Sequence, residues 1–250
     1  MEEKSELKMS YNVDLVLCID VTNSMRPCLN MVKAHAAKLY DDLIQKMKEN
    51  RQTLNTFRVR VIAFRDYRAD GKKAMTATEF LTLPRDTEAF KTVVESLNPE
   101  GGGDIPEDGL EALAFAIRSK WMEKTPMSKS RQIIVVWTDA PVHPLGFCRT
   151  MENGGKNPNY PDIFPGSFSE LTNWWGAPNS QYSYMDQRGK RLLVYGPGDP
   201  DKEIPDSMNW SVLARSWNQT IHVQSRAGEG LSEQDYDEII TLLMKTITGR

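Results

Sequence analysis

Three short polar clusters carry the residue types that hold a hard divalent cation. They are Asp20-Val21-Thr22-Asn23-Ser24, Gly101-Gly102-Gly103-Asp104, and Thr138-Asp139. Such an ion takes oxygen ligands in an octahedron. Asp20, Thr22 and Ser24 offer three oxygens from one turn, and Asp104 and Asp139 would complete the cup from neighbouring loops. Mg²⁺ is the expected ion, with Mn²⁺ or Ca²⁺ as substitutes. Charge limits the arrangement: if Asp20, Asp104 and Asp139 all ligated, three negative charges would meet two positive ones and repel an incoming carboxylate. At most two of the three are therefore expected to touch the metal directly.

Each of these residues has a plainer role that stays open. Thr22 and Ser24 could cap the helix that follows them. Asp104 stands two residues before Pro106 and could be a helix cap. Asp139 ends a buried strand, where a carboxylate without a partner is costly, so a metal or a loop amide must satisfy it. His143 either reaches the site or stays a loop residue. Asp66 and Arg68 either rim the site or form an exposed ion pair. Trp174 and Trp175 either make a partner-binding patch or cover the sheet. Asp14 is placed at the start of its strand, away from the site.

The elements that must position these residues alternate between strand and helix. An almost continuously apolar run over 13–19 ends in Asp20 and predicts a strand buried on both faces. Apolar spacings of three and four predict one helix over 27–50. Further strands are predicted over 57–64, 133–137, 191–195 and 220–224, with a short edge strand over 77–83. Helices are predicted over 87–97, from Pro106 to about 124, over 168–175 and over 208–218. In the second of these the acidic Glu107 and Asp108 suit the positive end. A last helix is expected to open at Ser232, with Asp235 in a capping box, and to end near 246.

This order predicts an α/β fold, a doubly wound and mainly parallel sheet with one short antiparallel edge strand and helices on both faces. Ligands of such sheets bind at the carboxyl ends of the strands, which is where the three polar clusters fall. The expected organisation is a tail over 1–10 and a single domain over 11–250, with a loop-rich insertion at about 141–188.

Composition excludes several classes. With 250 residues, 40% hydrophobic, 26% charged and net charge −3, the chain has the profile of a soluble globular protein. It has no concentrated basic block, so no nucleic acid is expected as partner. No stretch of about 18 apolar residues is present, so no membrane span is expected. Cys18, Cys28 and Cys148 form no CxxC pair, which argues against a zinc site or a disulfide framework. The charged N-terminus lacks a signal-peptide core, and the chain is read as cytoplasmic.

Asp20-x-Thr22-x-Ser24, at the end of the first buried strand and before a long helix, resembles the metal-ion-dependent adhesion site of the von Willebrand factor A (vWA) family. Gly-Gly-Gly-Asp-Ile-Pro-Glu looks like the family's second metal loop, although that loop commonly supplies a Thr where Asp104 is the nearest candidate here. Thr138-Asp139-Ala140-Pro141 resembles the third. The resemblance covers roughly residues 11–248. Asp66-Tyr67-Arg68, the Gly-Gly-Gly-Asp-x-Pro-Glu stretch and the Asp-Ala-Pro stretch are similar to intracellular members, among them tellurium-resistance-associated vWA proteins and the vWA part of an alpha-kinase family.

The resemblance implies a metal-dependent protein-interaction module, an adaptor or regulator, with a partner that offers an Asp or Glu to the metal. The resemblance also implies a stress-response or phage-defence setting, the one to which many bacterial relatives of this kind belong. The rival readings are a metal-dependent phosphoesterase and an interaction module with a purely structural metal. Against catalysis, the sequence has no evident nucleophile and no phosphate-cradling GxxxxGK[ST] loop.

Overall fold

The computed structural model describes residues 9–101, 106–126, 128–198 and 208–249. Its strands are β1 (Ser10–Asp20), β2 (Thr53–Phe64), β3 (Met75–Ala77), β4 (Leu81–Leu83), β5 (Lys129–Trp137), β6 (Lys190–Pro197) and β7 (Thr220–Ser225). Its helices are α1 (Arg26–His35), α2 (Leu39–Glu49), α3 (Thr87–Ser96), α4 (Gly109–Ile117), α5 (Phe168–Trp175), α6 (Ser211–Ser216) and α7 (Tyr236–Thr248). The strands form one sheet in the order β3-β2-β1-β5-β6-β7, with β4 also on β2. Strands β1, β2, β5, β6 and β7 run parallel. The antiparallel edge is present in two short pieces, β3 and β4, at different points along β2.

The apolar runs explain why both faces are covered. Along β1, Val13, Leu15, Leu17 and Ile19 enter one core and Val16 and Cys18 the other, the two-residue alternation of a strand. The first core is filled by Leu29 and Val32 of α1, Leu43 and Met47 of α2, Phe90 of α3 and Leu243 of α7. The second takes Leu113 and Ile117 of α4, Trp175 of α5 and Leu213 of α6. Each such side chain, fully withdrawn from water, contributes about 1.5–3 kcal/mol.

Several boundaries differ from those predicted. The helix expected over 27–50 is two helices, α1 and α2, separated at residues 36–38, where the Lys38 N–H bonds the His35 carbonyl. The apolar spacing runs on across this break. Helix α4 ends at Ile117 rather than near 124. Beyond it the Trp121 indole donates to the Ile117 carbonyl at 3.0 Å, and Asp14 captures the Met122 N–H at 2.6 Å. Helix α6 is shorter than the predicted 208–218. The cap of α7 is Asp235, which accepts from the Glu238 N–H at 3.1 Å, and not Ser232.

Between β5 and β6, residues 141–188 hold one α-helix, α5, capped by Ser167 and closed by Gly176 in the left-handed region. Trp174 and Trp175 are both buried in the second core, so they cover the sheet. Asp14 is buried in the lower half of β1, bonded by Arg58 through two 2.7 Å contacts.

Candidate metal centre

The chain passes from β1 to β2 on one side and returns with β5 on the other. The carboxyl ends of β1 and β5 therefore diverge at a topological switch point, where open α/β sheets bind ligands. Asp20 is the last residue of β1, and Thr138 and Asp139 directly follow β5.

The structure brings Asp20, Thr22, Ser24 and Asp139 together. Asp20 Oδ1 accepts from the Thr22 N–H at 2.9 Å and from the Thr22 hydroxyl at 2.7 Å. Asp20 Oδ2 accepts from the Thr138 hydroxyl at 2.7 Å. Ser24 Oγ donates to Asp139 Oδ1 at 2.9 Å and lies 3.4 Å from Thr22 Oγ1. Neither hydroxyl caps a helix: Thr22 precedes the 3₁₀ turn Asn23–Met25 and Met25 precedes α1, and neither position makes a side-chain cap bond. The plain capping role thus gives way to bonds within the cluster.

Sequence reasoning missed two groups. Thr138 bonds Asp20, a partner that its place beside Asp139 in the sequence does not disclose. Gly230, from the loop after β7, donates its N–H to Asp139 Oδ2 at 2.7 Å. No motif marks that glycine, because it lies 91 residues from its partner.

Burial and charge favour a cation here. Asp20, Thr22 and Asp139 are buried, while Asn23 and Ser24 are exposed and form the mouth. Among the described residues, neither Asp20 nor Asp139 is paired with a Lys or Arg. Burial pushes the Asp20 carboxyl up to about 6, against the bonds from Thr22 and Thr138 and with help from the neighbouring Asp139 charge. The donor set is all oxygen, as a hard ion requires. The separations of 2.9 and 3.4 Å from Ser24 Oγ to Asp139 and to Thr22 bracket the edge of about 3 Å expected for an octahedron with ligands at 2.0–2.1 Å. These residues fit a Mg²⁺-sized ion.

Asp104 lies outside the described residues. The loop that carries it starts beside the first cluster, where the Asn23 amide donates to the Gly101 carbonyl at 3.3 Å and the Glu100 N–H to the Val21 carbonyl at 3.1 Å.

The other candidates sit elsewhere. Asp66 and Arg68 form no exposed ion pair. Asp66 is fully buried, its Oδ1 accepting from the Arg68 and Ala69 N–H groups at 2.6 and 2.7 Å. The Arg68 guanidinium instead bonds the Thr150 and Phe147 carbonyls. His143 is buried and turns to Asp66, with Nε2 at 2.9 Å from Oδ2. That contact is short but poorly aligned for a hydrogen bond, and it leaves Nε2 without a regular partner.

The family model for the von Willebrand factor A domain matches residues 14–145. The pilus adhesin SpaC from Lactobacillus rhamnosus GG is similar at 13% identity and TM-score 0.49, over 95% of this chain and 30% of that one. The open conformation of that adhesin gives 15% identity and TM-score 0.47, with the same coverage. Proximal thread matrix protein 1 from the mussel byssus gives 12% identity and TM-score 0.42, over 96% of this chain and 49% of that one. The chain thus spans about 30% of the adhesin's length. No curated protein matches.

Proposed function

The chain belongs to the von Willebrand factor A domain family, and from that premise we propose that it is a metal-dependent protein-interaction module, an adaptor or regulator rather than an enzyme. Asp20, Thr22, Ser24 and Asp139 would hold Mg²⁺ directly, and Asp104 would act from the second loop without direct contact. The observation that carries this reading is the turning of the Thr22 and Ser24 hydroxyls away from the helix they precede and onto Asp20 and Asp139. When bound, the ion supplies a Lewis-acidic position for a partner's Asp or Glu.

The residues of this chain do the rest. Thr138 holds Asp20 Oδ2 and the Gly230 N–H holds Asp139 Oδ2. The hydroxyls of Thr22 and Ser24 add ligand oxygens without adding charge. With Asp20 and Asp139 as the only direct carboxylates, the loaded site is near neutral and accepts a partner's carboxylate. We place the module in a bacterial stress-response or phage-defence setting, on the resemblance of its loops to those systems' vWA proteins.

The test is a pull-down from native lysate with wild type and Asp20→Ala, each with Mg²⁺ and with EDTA. A partner recovered by wild type with Mg²⁺ alone supports the proposal. Recovery in all four conditions overturns it in favour of a structural metal. Phosphoester turnover with Mg²⁺ or Mn²⁺ that Asp20→Ala abolishes would instead establish the enzyme reading.

A further inference from the structure

A second group of metal-binding side chains lies at the same end of the sheet, and the adhesion site does not use it. Asp66 follows β2, Asp108 precedes α4, and His143 and Cys148 come from the segment after β5. One donor atom from each of the four lies within 4.8 Å of every other, and all four residues are buried. Cys148 Sγ is 3.2 Å from Asp66 Oδ2, the same oxygen that His143 Nε2 approaches to 2.9 Å.

The two carboxylates are held as ligands are held. Each has one oxygen fixed by backbone N–H groups: Asp66 Oδ1 by Arg68 and Ala69, and Asp108 Oδ2 by Tyr67 at 2.7 Å. Asp66 Oδ2 faces His143 and Cys148, and Asp108 brings a carboxylate oxygen within 4.8 Å of the other donors. Asp108 is 0% exposed and its Oδ1 has no partner. A buried carboxylate oxygen without a donor is costly. The backbone bonds act as the outer contacts that orient metal ligands. Asn157, also fully buried, ties the two loops together, donating to the Tyr67 and Cys148 carbonyls at 3.0 Å each.

Charge points the same way. Glu111 is fully buried beside the cluster, where its Oε1 takes the Gly146 N–H and the Tyr160 hydroxyl, both at 2.8 Å. Three buried carboxylates thus meet one imidazole, and among the described residues none of the three is paired with a Lys or Arg.

We propose that Asp66, Asp108, His143 and Cys148 form a closed, four-ligand zinc site that fastens residues 143–148 to the ends of β2 and α4. One sulfur, one imidazole nitrogen and two carboxylate oxygens are zinc donors, and a thiolate selects against Mg²⁺ and Ca²⁺. Four protein ligands with no opening to solvent make a structural site rather than a catalytic one. As the Zn–S bond forms, the Cys148 thiol proton passes to the buffer, so binding releases protons. The proposal does not depend on the adhesion-site reading.

The test is zinc content by mass spectrometry after the full-length protein is equilibrated with zinc and desalted, for wild type, Asp20→Ala, His143→Ala and Cys148→Ser. Expected is one zinc per chain in wild type and in Asp20→Ala, lost in the other two. Wild type loaded with Co²⁺ should show a thiolate-to-cobalt charge-transfer band, and this readout decides even if the ligand variants fail to fold. Wild type without zinc, a cobalt spectrum without that band, or zinc lost in Asp20→Ala but kept in folded Cys148→Ser each overturns the proposal.

Discussion

Asp139 is held from both ends of the chain: Ser24 donates to its Oδ1 at 2.9 Å and the Gly230 N–H to its Oδ2 at 2.7 Å. Gly230 also accepts from the Cys28 N–H at 3.0 Å, which binds the same loop to α1. Its φ of +60° lies in the left-handed region, and a Cβ there would collide with the Ser24 carbonyl oxygen. Gly230→Ala is therefore expected to cost about 1–3 kcal/mol and to weaken Mg²⁺ binding. Urea unfolding and a Mn²⁺ titration measure the two effects. Unchanged ion affinity in the folded variant would show that Gly230 does not place Asp139.

The Asp14–Arg58 pair is a structural counterpart at the other end of β1. Asp14 is 1% exposed and accepts from Arg58 Nε, Arg58 Nη2 and the Met122 N–H. Removing the guanidinium leaves a buried carboxylate with one donor. Arg58→Ala is expected to destabilise by about 3–5 kcal/mol, and Asp14→Asn with Arg58→Met by less than Arg58→Ala alone. Equal losses in denaturant unfolding would show that the pair is not coupled.

Lys190 predicts a pH dependence of stability. Its ammonium is buried and donates to the Trp175 and Gly176 carbonyls at the end of α5. Burial lowers it from an ordinary 10.5 to about 8. Between those values the unfolded chain keeps a proton that the folded chain has lost, so this residue makes stability rise with pH from about 8 upward. Below about 8 both states are charged and the whole burial cost is present. Thermal melts at intervals from pH 8 to 10 should show a less positive slope for Lys190→Met than for wild type. An identical slope would remove Lys190 as the cause.

Trp175 is fully buried, stacked on Trp217 with ring centroids 5.4 Å apart, and its indole donates to the Asn218 carbonyl at 3.1 Å. Trp175→Ala is expected to cost about 3–5 kcal/mol without changing the Mg²⁺ affinity of the folded fraction. Full stability with weakened partner capture would instead make Trp175 an interface residue.

What the sequence disclosed follows from how far apart the informative residues lie. The β1 run shows its double burial in its own composition, and α5 is bounded by an adjacent serine cap and a left-handed glycine. Asp20, Thr22 and Ser24 fall within five residues, so their shared turn can be read directly. The break between α1 and α2 interrupts no apolar spacing and leaves no mark. Beyond the early end of α4 the Met122 N–H bonds Asp14, more than a hundred residues away, a partner that no local pattern discloses. Asp66, Asp108, His143 and Cys148 have no motif spacing, and a lone cysteine without a CxxC partner argued the other way. Glu107 and Asp108 read as ordinary residues for a helix start, yet both are buried.

The oxygens of the Asp20 cluster come from partners 115 and 118 positions apart, and Gly230 closes a span of 91 more. Contacts that distant form only after β1 and β5 have paired and the chain has returned past β7, since long loops must close before their contacts stabilise anything. An ion held there would therefore meet its ligands on the native side of the folding barrier. Added Mg²⁺ should slow the unfolding limb of a stopped-flow chevron and leave the refolding limb where it was: the metal would then act as a latch on a finished structure, not as a template for building one.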